Sequence, residues 1–118
     1  MADLVAVNTI DVTHLDKYTG GDTRLNAEVF QLFSQHCVQT LRLLEAQLRA
    51  PERKAWREAA HSLKGAAMGI GAFELAHVAG EAESMDPVSA PTEAASLLRV
   101  LNERSELVQA YIEGYLAA

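Results

Sequence analysis

Aromatic side chains are scarce in this chain, at 6% of 118 residues, and cysteine occurs once. Few aromatics leave a core built mainly of Leu, Val and Ala, a composition that favours helices. The lone Cys37 cannot close an internal disulfide, which agrees with a reducing compartment. Three prolines and seven glycines exclude a low-complexity or collagenous chain. No run of about 18 apolar residues is present, so no membrane span is expected. The opening MADLVAVNTIDVTH lacks the basic segment of a signal peptide, and a soluble cytoplasmic protein is expected. No alternating strand pattern or internal repeat occurs. Neither a P-loop nor a kinase-type Gly-rich lobe is found, which excludes the common ways of holding ATP.

A hydrophobic content of 49% over this length suits one domain, residues 1–118, with one core. Met1 and complete first and last helices lead to the expectation of a free-standing protein. The net charge of −6 argues against nucleic acid as the main partner. Charge is unevenly placed, however. From Arg49 to Lys64 five basic residues (Arg49, Arg53, Lys54, Arg57, Lys64) face two acidic ones (Glu52, Glu58), whereas beyond Lys64 eight acids accompany two arginines. A basic island on an acidic molecule attracts anionic groups, although charge alone favours a solvated helix face.

Asp11 is suited to cap a short helix from Val12 to Tyr18 that Gly20 and Gly21 end, with Val5, Val7 and Ile10 packing at one end of the molecule. Asp22 can cap a second helix from Thr23 to Arg49, where Leu25, Val29, Leu32, Phe33, Cys37, Leu41, Leu44 and Leu48 recur at helical spacing. Pro51 fits the first position of a third helix running to about Ile70, ended by Gly69 and Gly71. A fourth helix spans Ala72 to about Met85, before Asp86-Pro87, and Thr92 with Glu93 opens the last. Its seam is Ala94, Leu98, Leu101, Ser105, Val108, Ile112 and Tyr115. Short connections make neighbouring helices antiparallel, which predicts an all-α, up-and-down four-helix bundle with the short first helix as a lid.

The stretch WREAAHSLKGAAMGIG, residues 56–71, carries the chemistry. On a helix His61, Lys64 and Gly65 stand at i, i+3 and i+4, so an imidazole, an ammonium and bare backbone share one face. Lys54, Arg57 and Met68 lie within about 60° of His61, while Ala55, Ala59, Leu63, Ala66 and Ile70 lie opposite. The Ala-rich seam lets this helix approach its neighbours closely, and Trp56 fills the space at one end. A glycine inside a helix costs roughly 1 kcal/mol relative to alanine, so Gly65 implies that a macromolecule approaches the imidazole. With a reference pKa of about 6.5, histidine offers a lone pair at neutral pH without a general base.

The run Ala60-His61-Ser62-Leu63-Lys64-Gly65, followed by Gly71-Ala72, Leu75-Ala76 and Glu83, resembles the signature of histidine-containing phosphotransfer (HPt) domains of bacterial phosphorelays. The chain departs from the family pattern at Gly69, where a small polar residue or Asn is common, and at Ala82, where a larger apolar residue is common. The resemblance implies a monomeric carrier without an ATP-binding or hydrolytic site of its own. It would take a phosphoryl group on His61, through Nε2, from a receiver-domain aspartate and pass it to another receiver. Lys64 would stabilise the phosphoryl group and Gly65 would give steric access. Lys54 and Arg57 would tune docking, and Met68, Gly69 and the nearby second helix would form an apolar docking patch. No cofactor is expected in this chain, Mg²⁺ belonging to the receiver.

Two other classes compete. One is a non-catalytic adaptor that binds an acidic partner through the basic face around His61. The other is a bundle metalloprotein, disfavoured because Glu-x-x-His repeats are absent. His36 and Cys37 are splayed by about 100° on a helix, and His14 and His77 are read as lacking an i+4 partner of ligand type. Cys37 is expected to be a buried small hydrophobe, and Glu81 and Glu83, two residues apart, should diverge.

Overall fold

The computed structural model describes residues 9–118, so Val5 and Val7 lie outside the described residues. Among the described residues five helices follow in chain order: α1 (Val12–Thr19), α2 (Thr23–Arg49), α3 (Arg53–Ile70), α4 (Phe73–Glu83) and α5 (Pro91–Ala117). Helix α2 packs on α3 and α5, and α4 packs on the same two, which closes a four-helix ring; α1 lies across α2 and α3. The all-α bundle with an added N-terminal helix is therefore as the periodicity predicts.

Side-chain caps start the first two helices. Asp11 accepts from the Thr13 backbone N–H, and Asp22 accepts from those of Arg24 and Leu25. Gly20 and Gly71 end α1 and α3 at φ 68° and 84°, a left-handed conformation that suits glycine. Gly69, in contrast, lies within α3 and does not end it. The two prolines exchange expectations. Glu52, with extended backbone, is the residue before α3, so Pro51 precedes the helix rather than opening it. Pro91 instead occupies the first turn of α5, where its missing N–H is harmless.

The core is one cluster in which Phe30, Leu44, Trp56, Leu63, Leu75, Leu101 and Ile112 are among the fully buried side chains. The seam of α5 is as expected, with Tyr115 at its half-buried end. On α3 the buried face centres on Trp56, Ala59, Ala60, Leu63, Ala67 and Ile70, which leaves Ala55 and Ala66 half-buried. Two leucines of α2 are corrections: Leu25 is exposed and Leu32 is 67% exposed. Phe30 takes inward space on this helix, since a bundle helix buries a stripe rather than all of its apolar positions.

Two polar anchors fix the ends. Buried Asn26 donates to Asp16 Oδ1 at 3.0 Å and to the Tyr115 hydroxyl at 3.2 Å, tying α1, α2 and α5 together. Buried Trp56 donates from Nε1 to the Ala82 carbonyl at 2.7 Å, tying α3 to the last turn of α4. Near this end Arg53 Nε meets Asp86 Oδ2 at 2.7 Å. The lone Cys37 is buried on the α2 stripe beside Ser105 of α5, and burial pushes its thiol pKa up. No helix among the described residues is long and apolar enough to cross a membrane.

Trp56→Phe keeps an aromatic ring but removes part of the buried indole volume and leaves the Ala82 carbonyl without its donor. It is expected to destabilise the fold by about 2–4 kcal/mol in denaturant unfolding, from the cavity and the lost hydrogen bond together. The Arg53 guanidinium, helped by the Val88 N–H, holds the Asp86 carboxyl down from 3.8 to about 2. A depressed folded-state pKa gives stabilisation that is complete above about pH 4 and is lost as pH falls through 2. Carboxyl-carbon NMR titration should place the Asp86 midpoint near 2 and return it toward 3.8 in Arg53→Ala.

Candidate functional site

The site lies on the outer face of the α3–α4 hairpin. Gly71 makes the reversal because a Cβ there would collide with the Asp11 carbonyl, while the Asp11 N–H donates to the Gly71 carbonyl at 2.9 Å. Ala72 starts α4 at once, so residues equally distant from the turn come together. Eleven residues before Ala72 stands His61, and eleven after it stands Glu83.

Glu83 is the centre of the constellation. Its Oε1 is 2.8 Å from His61 Nδ1 and its Oε2 is 2.9 Å from Lys64 Nζ. Lys64 and His61, in that order, hold its carboxyl pKa below the ordinary glutamate range. An ionised carboxylate can only accept, so Nδ1 carries the hydrogen and donates to it. In the neutral ring Nε2 then keeps its lone pair. The imidazole side chain is 68% exposed against 21% for Glu83, so the carboxylate is the tucked-in support and the ring is the presented group. Such a ring can act as a nucleophile toward an electrophile delivered from outside.

Gly65, one turn beyond His61, has no atom within 4 Å of the position its Cβ would take, and that stretch of α3 is open. Lys54 and Arg57 are exposed on the preceding turns; Lys54 comes no nearer to an acid than 3.9 Å, from Glu58. Met68, 49% exposed, and Gly69 line different grooves. Met68 borders the one between α3, α4 and α5, together with Lys64, Phe73, His77 and Gly80. Gly69 borders an apolar one formed with Tyr18, Leu25, Leu32 and Ala66. The expected single patch of Met68 and Gly69 is therefore divided between the two flanks of α3, because adjacent residues on a helix diverge by about 100°.

Three relationships escaped the sequence reading. Glu83 belongs to the quoted signature but had no partner assigned. His36 of α2 meets Ser62 Oγ through Nε2 at 3.0 Å, at the residue next to His61 in the chain rather than in a ligand set. His77 does have an i+4 partner, for its Nε2 is 3.3 Å from Glu81 Oε1 on the exposed side of α4. Glu81 and Glu83 diverge as expected. Among the described residues no three His, Cys, Asp or Glu side chains form a group able to hold a metal ion.

Comparison with known proteins bears on the fold and the family. Histidine-containing phosphotransfer protein B (HptB) from Pseudomonas aeruginosa PAO1 has a similar crystal structure, with TM-score 0.81 and 22% identity over 93% of this chain and 96% of that one. No curated protein matches the chain as a relative. The Hpt domain family matches residues 28–114, which run from early in α2 to near the end of α5 and contain the whole α3–α4 hairpin. The chain belongs to the Hpt domain family, whose function is histidine phosphotransfer in phosphorelays.

Proposed function

We propose that His61 is the phosphoryl-accepting residue of this chain, taking the group from the aspartyl phosphate of one receiver domain and yielding it to the aspartate of another. The observation that supports this reading is the Nδ1–Glu83 contact of 2.8 Å: with the hydrogen on Nδ1, the lone pair of the neutral ring is on Nε2. In the forward step the Nε2 lone pair forms the new N–P bond. The P–O bond to the donor aspartate breaks, and its electron pair stays on the departing carboxylate. No proton has to move: Nδ1 keeps its hydrogen, the ring becomes cationic, and Glu83 faces the new positive charge. Transfer back to a carboxylate reverses the same bonds.

Phosphoryl transfer has a loose transition state with charge spread over the equatorial oxygens, so positioning and electrostatics dominate. Lys64 stands on the same face of α3 as His61 and holds its ammonium on Glu83 at 2.9 Å, within reach of a phosphoryl group on Nε2. Gly65 leaves the approach open, and Lys54 and Arg57 add positive charge for an acidic receiver pocket. Leu32 and Gly69 on one flank, and Met68 on the other, supply apolar contact around the ring. In this reading the chain acts as a cytoplasmic monomer and binds no cofactor, the Mg²⁺ being held by the receiver.

His61→Gln should keep the bundle and its melting temperature yet accept no phosphoryl group from a phosphorylated receiver, as read by intact mass at neutral pH. An adduct at the unaltered rate would remove His61 from this role. Glu83→Gln keeps a hydrogen-bond acceptor but loses the charge that faces the cationic ring. Its phosphorylation rate should fall on the order of tenfold with little change in receiver affinity, a pattern of transition-state rather than ground-state loss.

A further inference from the structure

A glycine in the middle of α4 touches the machinery without carrying any chemistry. Gly80 stands eight residues after Ala72, as Lys64 stands eight before it, so the hairpin sets the two opposite one another. A Cβ on Gly80 would lie 3.3 Å from Lys64 Cδ, closer than side chains ordinarily pack. The helical glycines Gly65, Gly69 and Gly114 have no atom within 4 Å of the corresponding position. Glycine is also a poor helix former, and α4 has only 11 residues over which to absorb one. The bare backbone is therefore occupied: the lysine stem crosses the helix where a side chain would otherwise stand.

We propose that Gly80 is a positioning residue for phosphoryl transfer, its missing side chain forming the seat that lays the Lys64 stem against α4 and brings the ammonium to Glu83. The proposal rests on the phosphoryl-carrier reading for its activity readout. Lys64 is held at both ends, by its Cα in α3 and by Nζ at 2.9 Å from Glu83 Oε2. Its side chain is 34% exposed, with the remainder packed. A Cβ at residue 80 asks this stem to give by a few tenths of an ångström, and a longer side chain asks for more, at the expense of its ion pair. The direction of escape is the groove shared with Met68, Ala76 and His77, and taking it carries the ammonium from Glu83 toward solvent. Glu83 would then lose one of its two cationic partners, and the phosphoryl group would lose a charge aimed at it.

The test is a set of variants: Gly80→Ala, Gly80→Leu, Lys64→Ala, and Gly80→Leu combined with Lys64→Ala. Each is scored for His61 phosphorylation by phosphoramidate, a small donor that needs no docking surface. With Lys64 present, the rate should fall with the size of residue 80, on the order of twofold for Ala and tenfold for Leu. In the Lys64→Ala background residue 80 should make no difference, because the group it positions is gone. Equal losses in both backgrounds, an unchanged rate in Gly80→Leu, or a loss that follows only a drop in melting temperature would each overturn the assignment. Carboxyl-carbon NMR titration of Glu83 supplies a readout independent of transfer. Lys64 is the main group holding the Glu83 carboxyl below the ordinary glutamate range, so its pKa should rise in Gly80→Leu as it does in Lys64→Ala, and an unchanged Glu83 titration would count against the seat. If neither phosphoramidate nor a phosphorylated receiver modifies the unaltered protein, the carrier reading fails, while the Glu83 titration still decides the role of Gly80.

Discussion

Lys64 and His61 sit on one helix and cannot neutralise each other; both are donors, and both face the same carboxylate on the next. Glu83 resolves the arrangement because its two oxygens are divided between them, one at 2.8 Å from the ring and the other at 2.9 Å from the ammonium. The ion pair fixes the direction of the imidazole hydrogen, and through it the nitrogen left for reaction. It also holds the Lys64 ammonium on the same carboxylate that supports the ring. The surrounding structure serves that geometry. Trp56 holds the last turn of α4 to α3, and Asp11 braces the turn at Gly71, so Glu83 is referenced to His61 from both ends of the hairpin.

The division of labour between rigidity and exposure follows from burial. Apart from the Trp56 anchor, small residues line the buried faces of α3 and α4 and the turn between them: Ala60, Ala67, Ala72, Ala79 and Ala82 are fully buried. Close approach of two helices through alanine leaves little slack for one to slide on the other. The reactive face needs the opposite, open backbone at Gly65 and a ring in solvent. In the proposed reading a partner would meet a ring whose orientation is already decided inside the bundle, and the cost of aligning it would not be charged against binding.

Helical periodicity, the Asp caps and the glycine stops made most of the architecture legible, along with the shared face of His61, Lys64 and Gly65. These are local properties, repeated every three or four residues. Leu25 and Leu32 show where the pattern misleads, since a helix can carry more apolar positions than its neighbours can cover. Pro51 and Pro91 show that a boundary residue fits more than one position near a helix start. Glu83, Gly80 and the His36–Ser62 contact required the distance across the hairpin or between helices. The signal for the first two was nevertheless present in the spacing: once the turn is set at Gly71-Ala72, pairs equidistant from it are opposed. The i+4 relation of His77 and Glu81 was legible directly.

The turn between α3 and α4 also makes this the one connection whose length is tied to the chemistry. Each residue of a helix rotates the chain by about 100° and advances it 1.5 Å. One residue inserted between Gly71 and Ala72 would therefore carry the Glu83 side chain from the face of His61 to the flank of α4, with every helix still able to form. The links from α2 to α3 and from α4 to α5 are under no such phase constraint, since neither joins two members of the His61–Lys64–Glu83 group. Variation in length among related chains is thus compatible with the chemistry at those two links and out of phase with it at Gly71. The hairpin turn works as a spacer of fixed count, by which the order of residues along the chain becomes an alignment of charges across it.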